Sequence, residues 1–329
     1  MEWPTPTLAD VLRARAAIAP YLTPTPTLEP AALGEALGCR AYLKCENLTP
    51  TGAFKVRGGV NLLAALTPEE RARGMLAVST GNHAQSVAYA ARLFGVRALI
   101  YMPEGANPLK VAATRGMGAE VVLAGRDFDE AREHGEARTA REGLRYVHSA
   151  NEPLLIAGVG TYALELLEAV PDLDAIFVPV GAGSGVLGTA TVARAVNPAI
   201  RIIGVQAEGA PAVYRSWKEG RRVETETIET FAEGLATRQP FELPLQLLPK
   251  LVDEIMLVGD DEMTAAILLL LETARQVVEG AGAAAVAAAS KRRDELAGKK
   301  VALVLSGGNI TLDQLRRILG GEPAKAGMA

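Results

Sequence analysis

The chain is short of the residues that most often announce a function. Among 329 residues there are two cysteines and three histidines, and aromatic residues make up only 5%. Cys39 and Cys45 cannot build a disulfide framework, which points to a reducing compartment. They cannot complete a zinc site either, because two further ligands are needed and His83, His134 and His148 lack ligand spacing. So few aromatics leave no stacking platform for single-stranded nucleic acid. Charge of one sign is also missing: 34 basic residues face 38 acidic ones, for a net charge of −4 with no basic arm or stripe. No nucleic acid and no membrane are therefore expected as partners. Long hydrophobic runs are absent. The greasiest stretch, Met263–Leu271, meets Glu272 after nine residues, well short of the ~20 that a membrane span needs, and reads as a buried helix. The opening Met1-Glu2-Trp3-Pro4 lacks the basic and apolar regions of a signal peptide. A cytoplasmic protein is expected.

What is present is an alternation. Apolar runs at Ala41–Cys45, Leu76–Ser79, Ala98–Met102, Glu120–Leu123, Asp174–Val180, Ile202–Gln206 and Lys300–Leu305 read as strands. Most are continuous rather than alternating, so both faces should be covered by helices. Ala84–Phe94, Phe128–Arg141 and Gly188–Val196 carry helical spacing between them. The expected fold class is α/β: three layers, mostly parallel sheets with helices on both faces and right-handed crossovers. In such sheets ligands sit beyond the carboxyl ends of the strands, so the turns after the strands are where chemistry is sought.

One of those turns suggests a dinucleotide. Gly183, Gly185 and Gly188 satisfy G-x-G-x-x-G between a strand and a helix, and Glu208 lies twenty residues further on, where an acid could bind a ribose hydroxyl. A nicotinamide-dependent oxidoreductase is one reading. The physical content of the loop is narrower, however: bare N–H groups at a helix N-terminus cradle an anion, and one phosphate suffices.

A second window, Thr51-Gly52-Ala53-Phe54-Lys55-Val56-Arg57-Gly58-Gly59, surrounds a lysine with unusual neighbours. An amine must lose its proton to act as a nucleophile, and at an ordinary pKa of about 10.4 it rarely does. Apolar surroundings and a cation such as Arg57 would lower that value, as Schiff-base lysines require. The third window, Ser79-Thr80-Gly81-Asn82-His83, runs from a strand into a helix and offers donors for a carboxylate; Thr80 or Asn82 could equally cap the helix. The fourth, Ser306-Gly307-Gly308-Asn309, sets a hydroxyl at another strand end or is a plain turn. Together the windows suit a ligand with one phosphate, one aldehyde and one ring nitrogen. A phosphate-ligand binding protein without catalysis would use the same scaffold.

With those windows in order, the sequence resembles the threonine/serine dehydratases of the fold type II pyridoxal-phosphate enzymes, which include serine racemase. The resemblance runs from about Pro24 to Gly320 and also takes in Glu279-Gly280-Ala281-Gly282-Ala283. It implies pyridoxal 5'-phosphate as cofactor, Schiff-base chemistry and α-proton removal at Lys55, Phe54 beside the ring, and Asn82 on the 3-hydroxyl. Gly181, Ala182, Gly183, Ser184 and Gly185 would form the phosphate loop, and Ser306 would face the pyridine nitrogen. The substrate carboxylate would lie at Ser79, Gly81, Asn82 and His83. The neutral Ser306 hydroxyl would favour elimination over transamination. Also implied are a large domain of residues 1–70 and 146–320, a small inserted domain of residues 71–145, closure over an amino-acid substrate, and a homodimer or homotetramer. Residues 321–329 would form a tail.

The pattern departs in three places. Thr80 stands where serine racemases carry Ser and many dehydratases carry Ala, which leaves a racemase open, since a second acid/base opposite Lys55 is what racemisation needs. Glu208 matches one acidic ligand of the family's divalent-metal site, but Tyr214 stands in the place of Asp, so no divalent cation is expected. The chain also stops where biosynthetic threonine dehydratases continue into a regulatory domain, so feedback through such a domain is not expected.

Overall fold

The computed structural model describes residues 3–322; most of the expected tail, residues 323–329, lies outside the described residues. Ten strands are formed among them: β1 (Thr27–Leu28), β2 (Arg40–Cys45), β3 (Met75–Val78), β4 (Ala98–Met102), β5 (Glu120–Leu123), β6 (Arg145–Tyr146), β7 (Ala175–Pro179), β8 (Arg201–Ala207), β9 (Glu254–Val258) and β10 (Lys300–Leu305). They make two sheets, one in the order β1-β2-β10-β7-β8-β9 and one in the order β5-β4-β3-β6. Only β1 pairs antiparallel; the remaining pairs are parallel.

The continuous apolar strands are explained by cover on both faces. In the six-stranded sheet Leu43, Phe177, Ile203, Leu303 and Leu305 pack with the helices Ala31–Leu37, Asp260–Ala274 and Gly280–Lys291. On the other face Tyr42, Ile176, Val178, Ile202 and Val304 meet the helices Leu8–Ile18, Pro153–Ala169, Ser184–Val196 and Glu242–Leu251. The four-stranded sheet is built alike. Met75, Ala77 and Ile100 face the helices Lys55–Ala64, Asn82–Phe94 and Pro108–Gly116, while Leu76, Val78, Leu99 and Tyr101 face Phe128–Glu142.

Two features differ from expectation. The greasy stretch Met263–Leu271 is helical, but only Met263, Ala266, Ile267 and Leu270 are buried, while Leu268, Leu269 and Leu271 are partly covered. The helix thus buries one face rather than its whole surface. And β1, β6 and β9, each at a sheet edge, add to the strands expected from the apolar runs. No helix among the described residues is long and apolar enough to cross a membrane.

Candidate active site

The lysine is placed by backbone ties between the sheets. Just before the helix Lys55–Ala64, Phe54 N–H donates to Ser306 O at 3.1 Å, and Ala53 bridges Gly307, so the fourth window is joined to the second. Gly58 and Gly59 then let the helix press against two others. A Cβ at Gly58 would lie 2.8 Å from Leu155 O, and one at Gly59 only 2.4 Å from Ser86 Oγ. These glycines beside the lysine are therefore a packing requirement.

Lys55 Nζ donates to Ser184 Oγ at 2.7 Å and to Ser149 O at 3.4 Å. It sits 5.4 Å from the centre of the Phe54 ring. Burial pushes its pKa down to about 8. The share expected of Arg57 is not there. Two residues along a helix diverge by about 200°, and the guanidinium is spent on Glu46, with Nε–Oε2 at 2.7 Å, and on Glu165, with Nη1–Oε1 at 2.6 Å. Desolvation alone depresses the amine.

Gly181–Gly185 leads from β7 into the 13-residue helix Ser184–Val196. Gly183 has φ +99°, a conformation that side-chain-bearing residues rarely adopt. Gly185 lies against Phe54, where a Cβ would come within 3.3 Å of Cζ. Tyr162 meets the Phe54 ring edge-on and donates its hydroxyl to Gly185 O at 3.0 Å. The third glycine of the dinucleotide pattern is used elsewhere: a Cβ on Gly188 would stand 2.8 Å from Gly160 N, so its job is helix packing. Glu208 is exposed and faces the Lys291 ammonium at 3.6 Å, which Glu262 also holds at 2.9 Å. Tyr214 ties its N–H to Gln206 Oε1 at 2.8 Å. Among the described residues no three His, Cys, Asp or Glu side chains gather to hold a metal ion.

The third window enters the helix Asn82–Phe94 with Gly81 as cap and no side-chain cap bond, so capping by Thr80 or Asn82 is not its role. Ser79, Thr80, Gly81 and Asn82 are half-buried there, and Ser79 Oγ accepts from Gly81 N–H at 3.2 Å. His83 stands apart. Its ring is buried with Nε2 3.0 Å from Val147 O, and burial, assisted by the Lys55 charge, holds it down to about 3. The ring is thus neutral and committed to the backbone after β6. Asn82 Nδ2 donates to Glu279 Oε1 at 2.7 Å, and its Oδ1 accepts from Asn309 Nδ2 at 2.8 Å. Glu279 and Asn309 received no role from sequence reasoning; both lie in glycine-rich motifs, the one signal that marked them.

These residues fit a small phosphorylated aromatic aldehyde. A hydroxyl and free N–H groups at a helix N-terminus suit one phosphate, a depressed amine suits an aldehyde, and Phe54 offers a flat apolar neighbour.

Comparison with known proteins is consistent with that chemistry. The chain is 43% identical over 321 residues to the L-threonine ammonia-lyase of Thermotoga maritima, covering 98% of this chain and 80% of that one. The solved structure of the processed form of threonine deaminase isoform 2 from Solanum lycopersicum superimposes with a TM-score of 0.90 at 31% identity, over 97% and 90% of the two chains. Maize serine racemase does so with a TM-score of 0.90 at 31% identity, over 97% and 98%. The family model described as "Pyridoxal-phosphate dependent enzyme" matches residues 18–307. That match takes in the windows at Lys55, Ser79–His83 and Gly181–Gly185 and ends inside the fourth, at Gly307, and the chain belongs to the pyridoxal-phosphate dependent enzyme family.

Proposed function

We propose that the protein is a pyridoxal-phosphate dependent ammonia-lyase that removes water from L-threonine, and from L-serine, giving 2-oxobutyrate or pyruvate and ammonia. The observation that carries this is the Lys55 amine, 2.7 Å from Ser184 Oγ at the glycine loop and depressed to about 8 by burial. Bound pyridoxal phosphate supplies an electron sink that draws charge from the substrate Cα. Lys55 would hold its aldehyde, and Gly181, Ala182, Gly183, Ser184 and Gly185 would hold its phosphate. Phe54 would lie beside its ring, and Ser306 would serve the ring nitrogen. The Asn82 side chain would face the 3-hydroxyl of the ring, and Ser79, Gly81 and the backbone at Asn82 and His83 would hold the substrate carboxylate. Once the substrate amine has displaced it from the aldehyde, Lys55 Nζ would take the Cα proton, the β-hydroxyl would leave with a proton as water, and hydrolysis of the remaining product would release ammonia. The test is a 2-oxo acid assay with L-threonine, L-serine and D-serine on protein loaded with pyridoxal phosphate; no oxo acid from any of them rejects the reading.

A pH dependence follows from the amine. At pH 7 an amine with a pKa of about 8 is about one-tenth neutral, and only the neutral form attacks an aldehyde. Loading of apoprotein should therefore quicken about tenfold per pH unit below pH 8 and level off above it. Stopped-flow absorbance reads this, and a flat profile from pH 6 to 9 would contradict it.

Thr80, at the end of β3, favours a second reading as a serine racemase. Chiral analysis of recovered serine separates the two: D-serine accumulating as fast as oxo acid forms would shift the assignment.

We also propose that residues 71–145 form a small domain that closes on the substrate, in a cytoplasmic homodimer or homotetramer whose size light scattering would read. Two ion pairs support the closure. Lys110 pairs with Glu233 and Asp129 with Arg238, joining helices of the four-stranded sheet to the segment between Arg221 and Phe241. Lys110→Glu should raise KM for L-threonine about 5-fold, the equivalent of ~1 kcal/mol, with recovery in the swap Lys110→Glu, Glu233→Lys. An unchanged KM would rule the pairs out.

A further inference from the structure

We propose that Asn309 and Glu279 are positioning residues that lock the polarity of the Asn82 side chain, so that Asn82 can offer the cofactor only a donor N–H. This rests on the pyridoxal-phosphate reading above and goes beyond it to two residues with no assigned part.

A carboxamide has an oxygen that accepts and a nitrogen that donates, and half a turn about its last bond exchanges them. Standing alone, Asn82 could present either atom to a ligand. It does not stand alone. Asn309 Nδ2 donates to Thr51 O at 2.9 Å and to Asn82 Oδ1 at 2.8 Å, and Asn82 Nδ2 donates to Glu279 Oε1 at 2.7 Å. One end of this relay has fixed polarity, because Thr51 O is a backbone carbonyl; at the other end Glu279 accepts through Oε1. The carbonyl dictates that Asn309 turns its nitrogen inward, which dictates that Asn82 turns its oxygen toward Asn309. That leaves the Asn82 nitrogen turned the other way, onto Glu279 Oε1. Reversing Asn82 would set its nitrogen against the Asn309 donor and lose that hydrogen bond, and the Glu279 bond as well where the carboxyl group is ionised. In the locked state Asn82 has spent one N–H and keeps one free.

The backbone makes room for both partners. A Cβ on Gly52, whose φ is +69°, would lie 2.6 Å from Asn309 Oδ1, and one on Gly307 would lie 2.4 Å from Glu279 Oε1. Glu279 is anchored by its own N–H, which donates to Gly307 O at 3.1 Å. Burial raises the Glu279 carboxyl pKa against the pull of the Asn82 bond and of the Lys110 ammonium; the Thr51 carbonyl sets the direction of the relay in either protonation state.

A donor-only Asn82 selects an electron-rich ring oxygen and stabilises its anionic form. Loss of the lock should therefore move the pH at which the visible band of the loaded enzyme titrates. The decisive variant is Asn309→Asp, which sets a carboxylate beside Asn82 Oδ1 and turns the amide over. Its band should titrate on the order of one pH unit higher than in the wild type, and its affinity for pyridoxal phosphate should fall about tenfold. Glu279→Ala should shift both in the same direction and by less, because the Asn309 end still holds. Glu279→Gln keeps an acceptor oxygen and should stay close to the wild type. Circular dichroism checks the fold of each, and Glu279→Ala decides the matter if Asn309→Asp does not fold. Variants that are less stable or bind more weakly but titrate where the wild type does would show a structural role only and overturn the lock. If the wild type itself never colours with pyridoxal phosphate, the cofactor reading fails and the lock with it.

Discussion

Lys55→Ala should lower turnover of L-threonine by ~10³–10⁴-fold, measured as 2-oxobutyrate formed by protein saturated with pyridoxal phosphate. Two contributions are lost together. The amine that holds the aldehyde is gone, and so is the base at Cα, a role alone worth about 10²–10⁴. The substitution should be tolerated structurally, because the helix it opens is held by Phe54 N–H on Ser306 O and by Ser86 Oγ on Lys55 O, neither of which uses the side chain. Borohydride should no longer fix the cofactor to the protein, while phosphate at the Gly181–Gly185 loop should still bind. Unchanged turnover would leave a ligand-binding protein on an enzyme scaffold as the better account.

The largest loss of stability is expected at Arg57→Met. The Arg57 guanidinium takes Glu46 at two oxygens, 2.7 and 2.9 Å away, and Glu165 at 2.6 and 2.9 Å, and it also reaches Thr161 Oγ1 at 3.1 Å. Lys44, fully buried, completes the cluster by donating to Glu165 Oε2 at 2.6 Å. Two carboxylates thus face two cations. Methionine would leave both carboxylates to one ammonium, and breaking a buried pair from one side costs about 3–5 kcal/mol. A melting temperature lower by on the order of 10 °C is expected. Arg57→Lys should recover little, since one ammonium cannot bind two carboxylates in the planar fork that arginine provides. A melting temperature within a degree or two of the wild type would show that the cluster is dispensable.

That cluster also marks what sequence reading missed. Arg57 looked like a partner for the lysine two positions earlier, because proximity along the chain was all that could be seen. Its actual partners, Glu46 and Glu165, are 11 and 108 residues away. Seven strands were legible nearly to their ends, six of them because a parallel strand covered on both faces must be apolar throughout; β5, an edge strand with both end residues exposed, was marked only by its short apolar run. The edge strand β9 was harder to see. It pairs on one side only, and its short apolar run leads within a few residues into the helix Asp260–Ala274. The two-residue strands β1 and β6 carry no pattern at all.

The site divides in the same way. Lys55, the Gly181–Gly185 loop and Ser306 stood out in the sequence because each offers a residue type, an amine, a run of small residues or a hydroxyl, at a strand end or helix start. The sequence by itself therefore determined the fold class and the cofactor's chemical type, and it singled out the lysine as a candidate. Only the tertiary structure decided which contacts tune them. It turned the His83 ring onto Val147 O, spent Gly188 on Gly160, gave Glu208 to Lys291, and set Asn82 between Asn309 and Glu279. Local pattern records what a residue can do, whereas the polarity, charge and burial it meets come from segments that are brought together only by folding.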